Sequence, residues 1–178
     1  LWRALGPDVV DGLLTHAVNQ AKTEFSDTTN VPQQRVLIGV LRQVGSLYLG
    51  MAQGAPEKSE YMQSKGRSFY HDALDRARIT LGNDHPDTLQ ACSNVGNLLM
   101  NQIGPDEGEP FVVEALEGRR RVLGADHPDT RASMVYMGHL RLRQERHAEA
   151  EVLLRNVIGD RSGELAKVDS ETLDAHKA

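Results

Sequence analysis

Two histidines, one cysteine and a run of arginines are the residues of this 178-residue chain whose types invite a chemical reading. His85 and His127 stand in the near-identical segments Leu81-Gly82-Asn83-Asp84-His85-Pro86-Asp87-Thr88 and Leu123-Gly124-Ala125-Asp126-His127-Pro128-Asp129-Thr130. An imidazole among carboxylates suggests a metal centre or a general base. The two segments, however, occupy equivalent places in a repeat, and stacked repeats hold the rings apart, whereas one zinc ion needs each ligand within about 2.1 Å. Each is read instead as a turn histidine beside a helix start. Cys92 is the single cysteine, which excludes an intrachain disulfide framework and a multi-cysteine metal cage. No His-Glu-x-x-His pair, phosphate-binding loop, nucleophile elbow or dinucleotide fingerprint occurs. The chain is therefore expected not to be an enzyme, and to use no cofactor and no metal.

Arg119-Arg120-Arg121 with Arg141, Arg143 and Arg146 raises a second possibility, a cationic patch for a phosphate backbone. Against it stand a net charge of −5 and an aromatic content of 4%, which leaves little for base stacking. Arginines near the end of a helix also complement its dipole as a solvated face. Direct nucleic-acid binding is the weaker reading. No stretch approaches the roughly 18 consecutive apolar residues of a membrane span, and the first residues lack a basic segment followed by an apolar one. A start at Leu1 fits a processed chain or a piece of a longer one.

The elements that position these residues follow from the repeat. The octapeptide recurs after 42 residues, and a further period lands on Leu165 and on Asp169-Ser170-Glu171-Thr172-Leu173, which keeps the acidic-Thr pair without His or Pro. Val95-Gly96 matches Met137-Gly138, and Phe111 matches Leu153, at the same spacing. Within each octapeptide, Gly82 and Gly124 suit the left-handed end of a helix, while Pro86 and Pro128 suit the first position of the next. Asp87 and Asp129 then lie near its positive end. Leu89, Cys92, Val95, Leu99 and Ile103 follow helical spacing up to a break at Gly104-Pro105. A second helix is expected over 107–123, with Pro110 in its first turn and Phe111, Val112, Ala115, Leu116 and Val122 buried. The unit is a helical hairpin.

An earlier copy is longer, because Val44-Gly45 aligns with Val95-Gly96 only at an offset of 51 while Phe69 and Gly82 keep the offset of 42. The extra residues around Gly54-Ala55-Pro56-Glu57-Lys58-Ser59 are expected to enlarge the inter-helix loop, with a longer second helix starting near Glu60. Ahead of this hairpin, Asp8 is placed to cap a helix running to about Phe25, with Val9, Leu13, Ala17, Ala21 and Phe25 on its inner side. The resulting organisation is a leading helix and polar connector over 1–30, hairpins over 31–82, 83–124 and 125–166, and the start of a further helix over 167–178.

This pattern resembles the tetratricopeptide repeat, in the long-period form of kinesin light chains, over roughly residues 36–178. The ordinary repeat has about 34 residues, and the Leu-Gly-x-Asp-His-Pro-Asp-Thr linker with an extended second helix accounts for the longer period. The best match is Met137-Gly138 followed by Gln144-Glu145-Arg146-His147-Ala148-Glu149-Ala150-Glu151 and Leu153-Leu154. There Glu145 replaces the family's usual Gly and His147 its usual Tyr, while Gly66 and Gly108 stand where the family has Ala. The resemblance implies an all-α, right-handed α-solenoid of antiparallel helical hairpins. Gly45, Gly96 and Gly138 then fall where the two helices of a hairpin touch, which demands close packing.

It also implies that the first helix of each hairpin lines a concave groove for a protein or peptide partner. The family's groove positions correspond to Arg42, Gln43 and Ser46, then to Gln90, Asn94, Asn97 and Asn101, then to Tyr136, His139 and Arg143. The middle set is notable on its own, because its spacing of i, i+4, i+7 and i+11 puts four amides on one helix face. Amides both donate and accept, which suits an extended peptide backbone. Arg42 and Arg143 flanking that row favour an acidic segment. The competing readings are a fixed structural subunit of a large assembly and, more weakly, a nucleic-acid-binding helical repeat.

Overall fold

A computed structural model describes residues 6–158. Among them there are seven α-helices and no strand: α1 (Pro7–Glu24), α2 (Val31–Gly54), α3 (Ser59–Leu81), α4 (Pro86–Gln102), α5 (Pro105–Leu123), α6 (Pro128–Arg143) and α7 over residues 147–158. The degenerate third linker and the further helix expected beyond residue 166 lie outside the described residues. The chain divides into two compact units, up to Leu98 and from Leu99 onward.

In the first unit, a cluster of Leu37, Ile38, Leu41, Tyr48, Met51 and Met62 joins α2 to α3, with the Tyr48 and Phe69 rings stacked at 5.4 Å between centroids. Helix α1 lies against this cluster through Val10, Leu14, Val18, Ala21 and Phe25. Of the expected inner face, Ala21 and Phe25 pack against the cluster, but Val9 and Leu13 are 52% and 57% exposed. In the first half of the helix the docking positions are instead Val10, Leu14 and Val18, which together with Ala21 and Phe25 form one continuous face. Nor does Asp8 cap the helix. The N-cap is Gly6 and Pro7 occupies the first turn, leaving Asp8 there as a charge favourable to the dipole.

The connector into α2 is held by Gln34, 1% exposed, whose Nε2 donates to the carbonyls of Phe25 (2.8 Å) and Asp27 (3.0 Å). Asn30 caps α2 by accepting from the Gln33 amide at 3.2 Å. The extra residues of the first hairpin do not form an enlarged loop. They lengthen the helices instead, giving α2 24 residues and α3 23 against 17 for α4 and 19 for α5, with only Ala55 and a 3-10 turn over Pro56–Lys58 between α2 and α3. Helical continuation satisfies every backbone group that a loop would have to leave to water.

At the repeat boundaries, Gly82 and Gly124 have φ of 84° and 85° with ψ of 165° and 167°. This is not the left-handed helical cap expected but an extended positive-φ conformation that is essentially restricted to glycine. Their amides still close the preceding helices, on the carbonyls of Arg78 and Arg120 at 3.1 Å. The imidazole then starts the next helix. Nδ1 of His85 accepts from the Asp87 amide, and Nδ1 of His127 from the Asp129 amide, each at 3.1 Å.

The second unit is built on Met100, Val112, Leu116, Met137 and Leu140. Helix α5 starts two residues earlier than expected, so Pro110 lies inside it and not in its first turn. Of the expected stripe, Val112, Ala115 and Leu116 are buried, but Val122 is 45% exposed and Arg119 is 4% exposed in the inner position. Arg119 can replace an apolar residue there because its stem is hydrocarbon and its Nη1 reaches the Ser133 hydroxyl at 2.6 Å. Ile103, past the end of α4, is 55% exposed.

Candidate interaction surface

The side chains expected to meet a partner are distributed over α2, α4 and α6. On α2, Gln43 and Ser46 are exposed and Arg42 is half-buried. The glycine among them, Gly45, is what lets this helix sit close to α3: a Cβ there would be 3.1 Å from the Gly66 carbonyl oxygen and 3.0 Å from the Tyr70 ring. Gly138 does the same for α6, where a Cβ would stand 2.8 Å from a Leu154 methyl. Small residues at these crossings fix which way the opposite faces of α2 and α6 point.

On α4, the apolar stripe of Leu89, Cys92 and Val95 is buried, and Gln90, Asn94 and Asn97 are half-exposed. Gln90 Nε2 donates to Asn94 Oδ1 at 3.0 Å along the helix, which fixes the orientation of both amides. In the second unit, Arg143 Nη1 donates to Asn101 Oδ1 at 2.7 Å. These two residues are 42 apart and so occupy the same position of successive repeats. Tyr136, 39% exposed, and the exposed His139 share the face of α6 that carries Arg143.

Beside Arg42, a cleft of about 340 Å³ is lined by Arg35, Val36, Ile38, Gly39, Arg42 and Asp87. Arg35 Nε binds Asp87 Oδ2 at 2.7 Å. Arg42 Nε is buried and has no hydrogen-bond partner among the described residues. Sequence reasoning missed Arg35, although it precedes Arg42 by seven residues and hence lies on the same helix face.

The arginines of the nucleic-acid reading have partners inside the chain. Besides Arg119, Arg120 pairs with Glu117 at 2.8 Å, Arg141 with Glu109 at 2.7 Å, and Arg146 with Glu149 at 2.7 Å. Around Glu109, hydrogen bonds from Gln144 and Arg141 hold the carboxyl below its ordinary range. Arg119 thus departs from the solvated face expected of it. Cys92 is fully buried, and His85 and His127 act as helix caps. Among the described residues, no group of three or more His, Cys, Asp or Glu could hold a metal ion, and no helix is long and apolar enough to cross a membrane.

A second polar cluster, invisible in the sequence, fastens α1 to its neighbours. Asp11 accepts from the Tyr48 hydroxyl and from the Tyr61 hydroxyl, the latter at 2.8 Å, and Lys58 pairs with Asp8. Burial works to raise the Asp11 carboxyl, yet the two phenols, with Lys65 and Lys58 nearby, hold it below the usual carboxylate range. Burial and that same carboxylate push the Tyr48 phenol up to about 12.

Helices ending in a positive-φ glycine and restarting at a histidine cap recur with the 42-residue period, and residues 67–87 and 88–129 match the family model of the tetratricopeptide repeat. These residues are tetratricopeptide repeats. A solved structure, that of BtubC (BKLC) from P. vanneervenii, is similar in fold to this chain with a TM-score of 0.53 at 17% identity, covering 85% of this chain and 72% of that one. No curated protein matches the chain. Tetratricopeptide repeats are in general protein–protein interaction scaffolds, and the fold is typically non-catalytic.

Proposed function

We propose that the chain binds a segment of a partner protein through the faces of α2, α4 and α6 that carry the residues named above. The observation that carries this reading is the half-exposed amide row of α4, where Gln90 and Asn94 are already oriented by their mutual hydrogen bond. Orienting a side chain before binding removes part of the entropy that the complex would otherwise lose. Arg42, Gln43 and Ser46 on α2, and Asn101, Tyr136, His139 and Arg143 on α6 and the end of α4, would extend the contact. The role of Arg143 is narrower than its type suggests. With one N–H already on Asn101, it presents a positioned guanidinium to a partner and keeps the amide in place.

The test is quantitative capture from native extract by wild type and by the triple variant Asn94→Ala/Asn97→Ala/Arg143→Ala, with circular dichroism confirming that both are folded. Loss of at least one reproducible partner supports the reading. Capture of every partner at wild-type level by the variant would remove these faces from the contact and favour a chain built into an assembly through other surfaces.

A further inference from the structure

We propose that Tyr61, in the first turn of α3, is a phosphorylation site, and that its modification releases the N-terminal half of α1 from the first hairpin. The inference is independent of the partner-facing residues of α2, α4 and α6. The chain has four tyrosines, and Tyr61 is the most open of them at 45%, against 39% for Tyr136 and 0% for Tyr48, with Tyr70 half-buried. Its place in the helix adds local freedom. The N-cap of α3 is Lys58, which makes no side-chain capping bond, so the amides of this turn lack the partner a cap would supply. Helix ends open more readily than helix interiors, which suits a phenol that must enter the active site of another enzyme.

Two polar links join the start of α1 to the start of α3: the Tyr61 hydroxyl donates to Asp11 Oδ2 at 2.8 Å, and Lys58 pairs with Asp8. A phosphoryl group on Tyr61 undoes both. In a tyrosine kinase the Tyr61 Oη attacks the γ-phosphorus of a nucleoside triphosphate. The new P–O bond forms as the bond to the β-phosphate oxygen breaks, the nucleoside diphosphate leaves, and the phenolic proton passes to the kinase's base. The hydrogen that bound Asp11 is then gone, and a group of charge about −1.5 to −2 faces the Asp11 carboxylate in its place. Lys58, three residues before Tyr61, and Lys65, four after it with Nζ 5.6 Å from the ring centroid, flank the new charge. Lys58 is drawn from Asp8 to the phosphoryl oxygens, so both aspartates lose the α3 group that holds them. The dipole of α3 favours the same outcome, because negative charge is stabilised in a first turn. Opposing release in this half of α1 are the Tyr48 hydroxyl on Asp11 and the contacts of Val10 and Leu14, which are only partly buried. Farther along, Val18 is 1% exposed, Lys22 pairs with Asp72 at 2.5 Å, and Gln34 holds the Phe25 carbonyl at 2.8 Å. None of these involves Tyr61. Opening therefore stops near Val18, and it uncovers Tyr48 and the apolar surface beneath Val10 and Leu14.

The experiment incubates the full chain with ATP and a purified tyrosine kinase of broad sequence preference, maps the product by mass spectrometry, and measures hydrogen exchange along α1. Tyr61 should carry most of the phosphate, and Tyr48 none. In the phosphorylated chain the amides of residues 11–16 should exchange at least about tenfold faster than in the unmodified chain, while those of residues 20–24 keep their rates. Phosphatase treatment should restore the original pattern. Tyr61→Phe, which deletes the hydroxyl without adding charge, should speed residues 11–16 by only about twofold to threefold. Incorporation at Tyr70 or Tyr136 in place of Tyr61 overturns the site. Unchanged exchange in a chain phosphorylated at Tyr61 overturns the release, as does a uniform acceleration over α1, α2 and α3, which would mean general unfolding. If Tyr61→Phe exchanges as fast as the phosphorylated chain, the phosphoryl charge has no part in opening α1 and the proposal falls.

Discussion

Glu145 holds the least comfortable backbone among the described residues, a non-glycine at φ 61°. It stands at the turn after α6, where the Arg146 amide reaches the Arg141 carbonyl (2.8 Å) and the Glu145 amide reaches that of Leu142 (3.1 Å), a hydrogen-bond pair that requires a left-handed residue. The sequence flagged the position, because the family has glycine there. Glu145→Gly is expected to stabilise the fold by about 1 kcal/mol, read as a higher urea midpoint at unchanged slope. A lower midpoint would mean that the carboxylate contributes more than the strain costs. Thr130 presents a different misfit. It is fully buried and its hydroxyl has no hydrogen-bond partner among the described residues, as is also true of Thr88 one repeat earlier. Thr130→Val, which keeps the shape and deletes the hydroxyl, should raise stability by about 1 kcal/mol, whereas Thr130→Ser should lower it by losing a buried methyl. Both are measurable by denaturant melts. No sequence signal separates a satisfied threonine from an unsatisfied one, since that depends on atoms from elsewhere in the fold.

Between elements, the decisive quantity is how closely two helices approach. Gly45 and Gly50 lie on the same helix, yet a Cβ at Gly45 would meet a backbone oxygen at 3.1 Å while one at Gly50 would meet nothing within 4 Å. Gly45→Ala should therefore destabilise by about 1–3 kcal/mol, and Gly50→Ala should stabilise by about 1 kcal/mol through helix propensity alone. Thermal melts of the pair give opposite signs or refute the packing argument. The crossing glycines were legible in the sequence because the repeat aligns them; the inner face of the first half of α1 was not, since Val10, Leu14 and Val18 pack inward where Val9, Leu13 and Ala17 were expected. That helix belongs to no repeat, and its position is also held by the polar fastening of Asp11, Tyr48 and Tyr61, which depends on residues 37 and 50 positions away. The fastening has a pH signature. Asp11 is depressed in the fold, so its contribution is complete above the ordinary carboxylate pKa of 3.8 and is lost as pH falls through its lower folded value. Tyr48 is raised, so its contribution is complete below 10.0 and is lost as pH rises toward about 12. Asp11→Asn should flatten the acid limb of a stability-versus-pH curve; an unchanged limb would place the acid sensitivity elsewhere.

At the scale of the chain, charge and periodicity were read with unequal success. The repeat revealed where helices stop and start because glycine, proline and the capping histidine act locally, through backbone conformations that need no tertiary partner. The arginines were harder. Their count suggested a cationic surface, but Arg119 is buried and Arg120, Arg141 and Arg146 are matched to carboxylates. The full chain should accordingly show no duplex DNA binding tighter than ~10⁻⁴ M at physiological salt, measured by fluorescence anisotropy of a labelled duplex; micromolar binding would mean that these pairs open to solution. The histidine caps carry one more consequence. An Nδ1 that accepts from a backbone amide cannot itself carry the hydrogen of the neutral ring, so His85 and His127 are each locked as the Nε2–H tautomer. In a nitrogen-15 spectrum the two ring nitrogens of such a tautomer are widely separated, whereas a ring in tautomeric exchange averages them. Each linker thus contains a natural spectroscopic reporter, and following the two rings through a denaturant series would show whether the successive turns of the array let go together or one at a time.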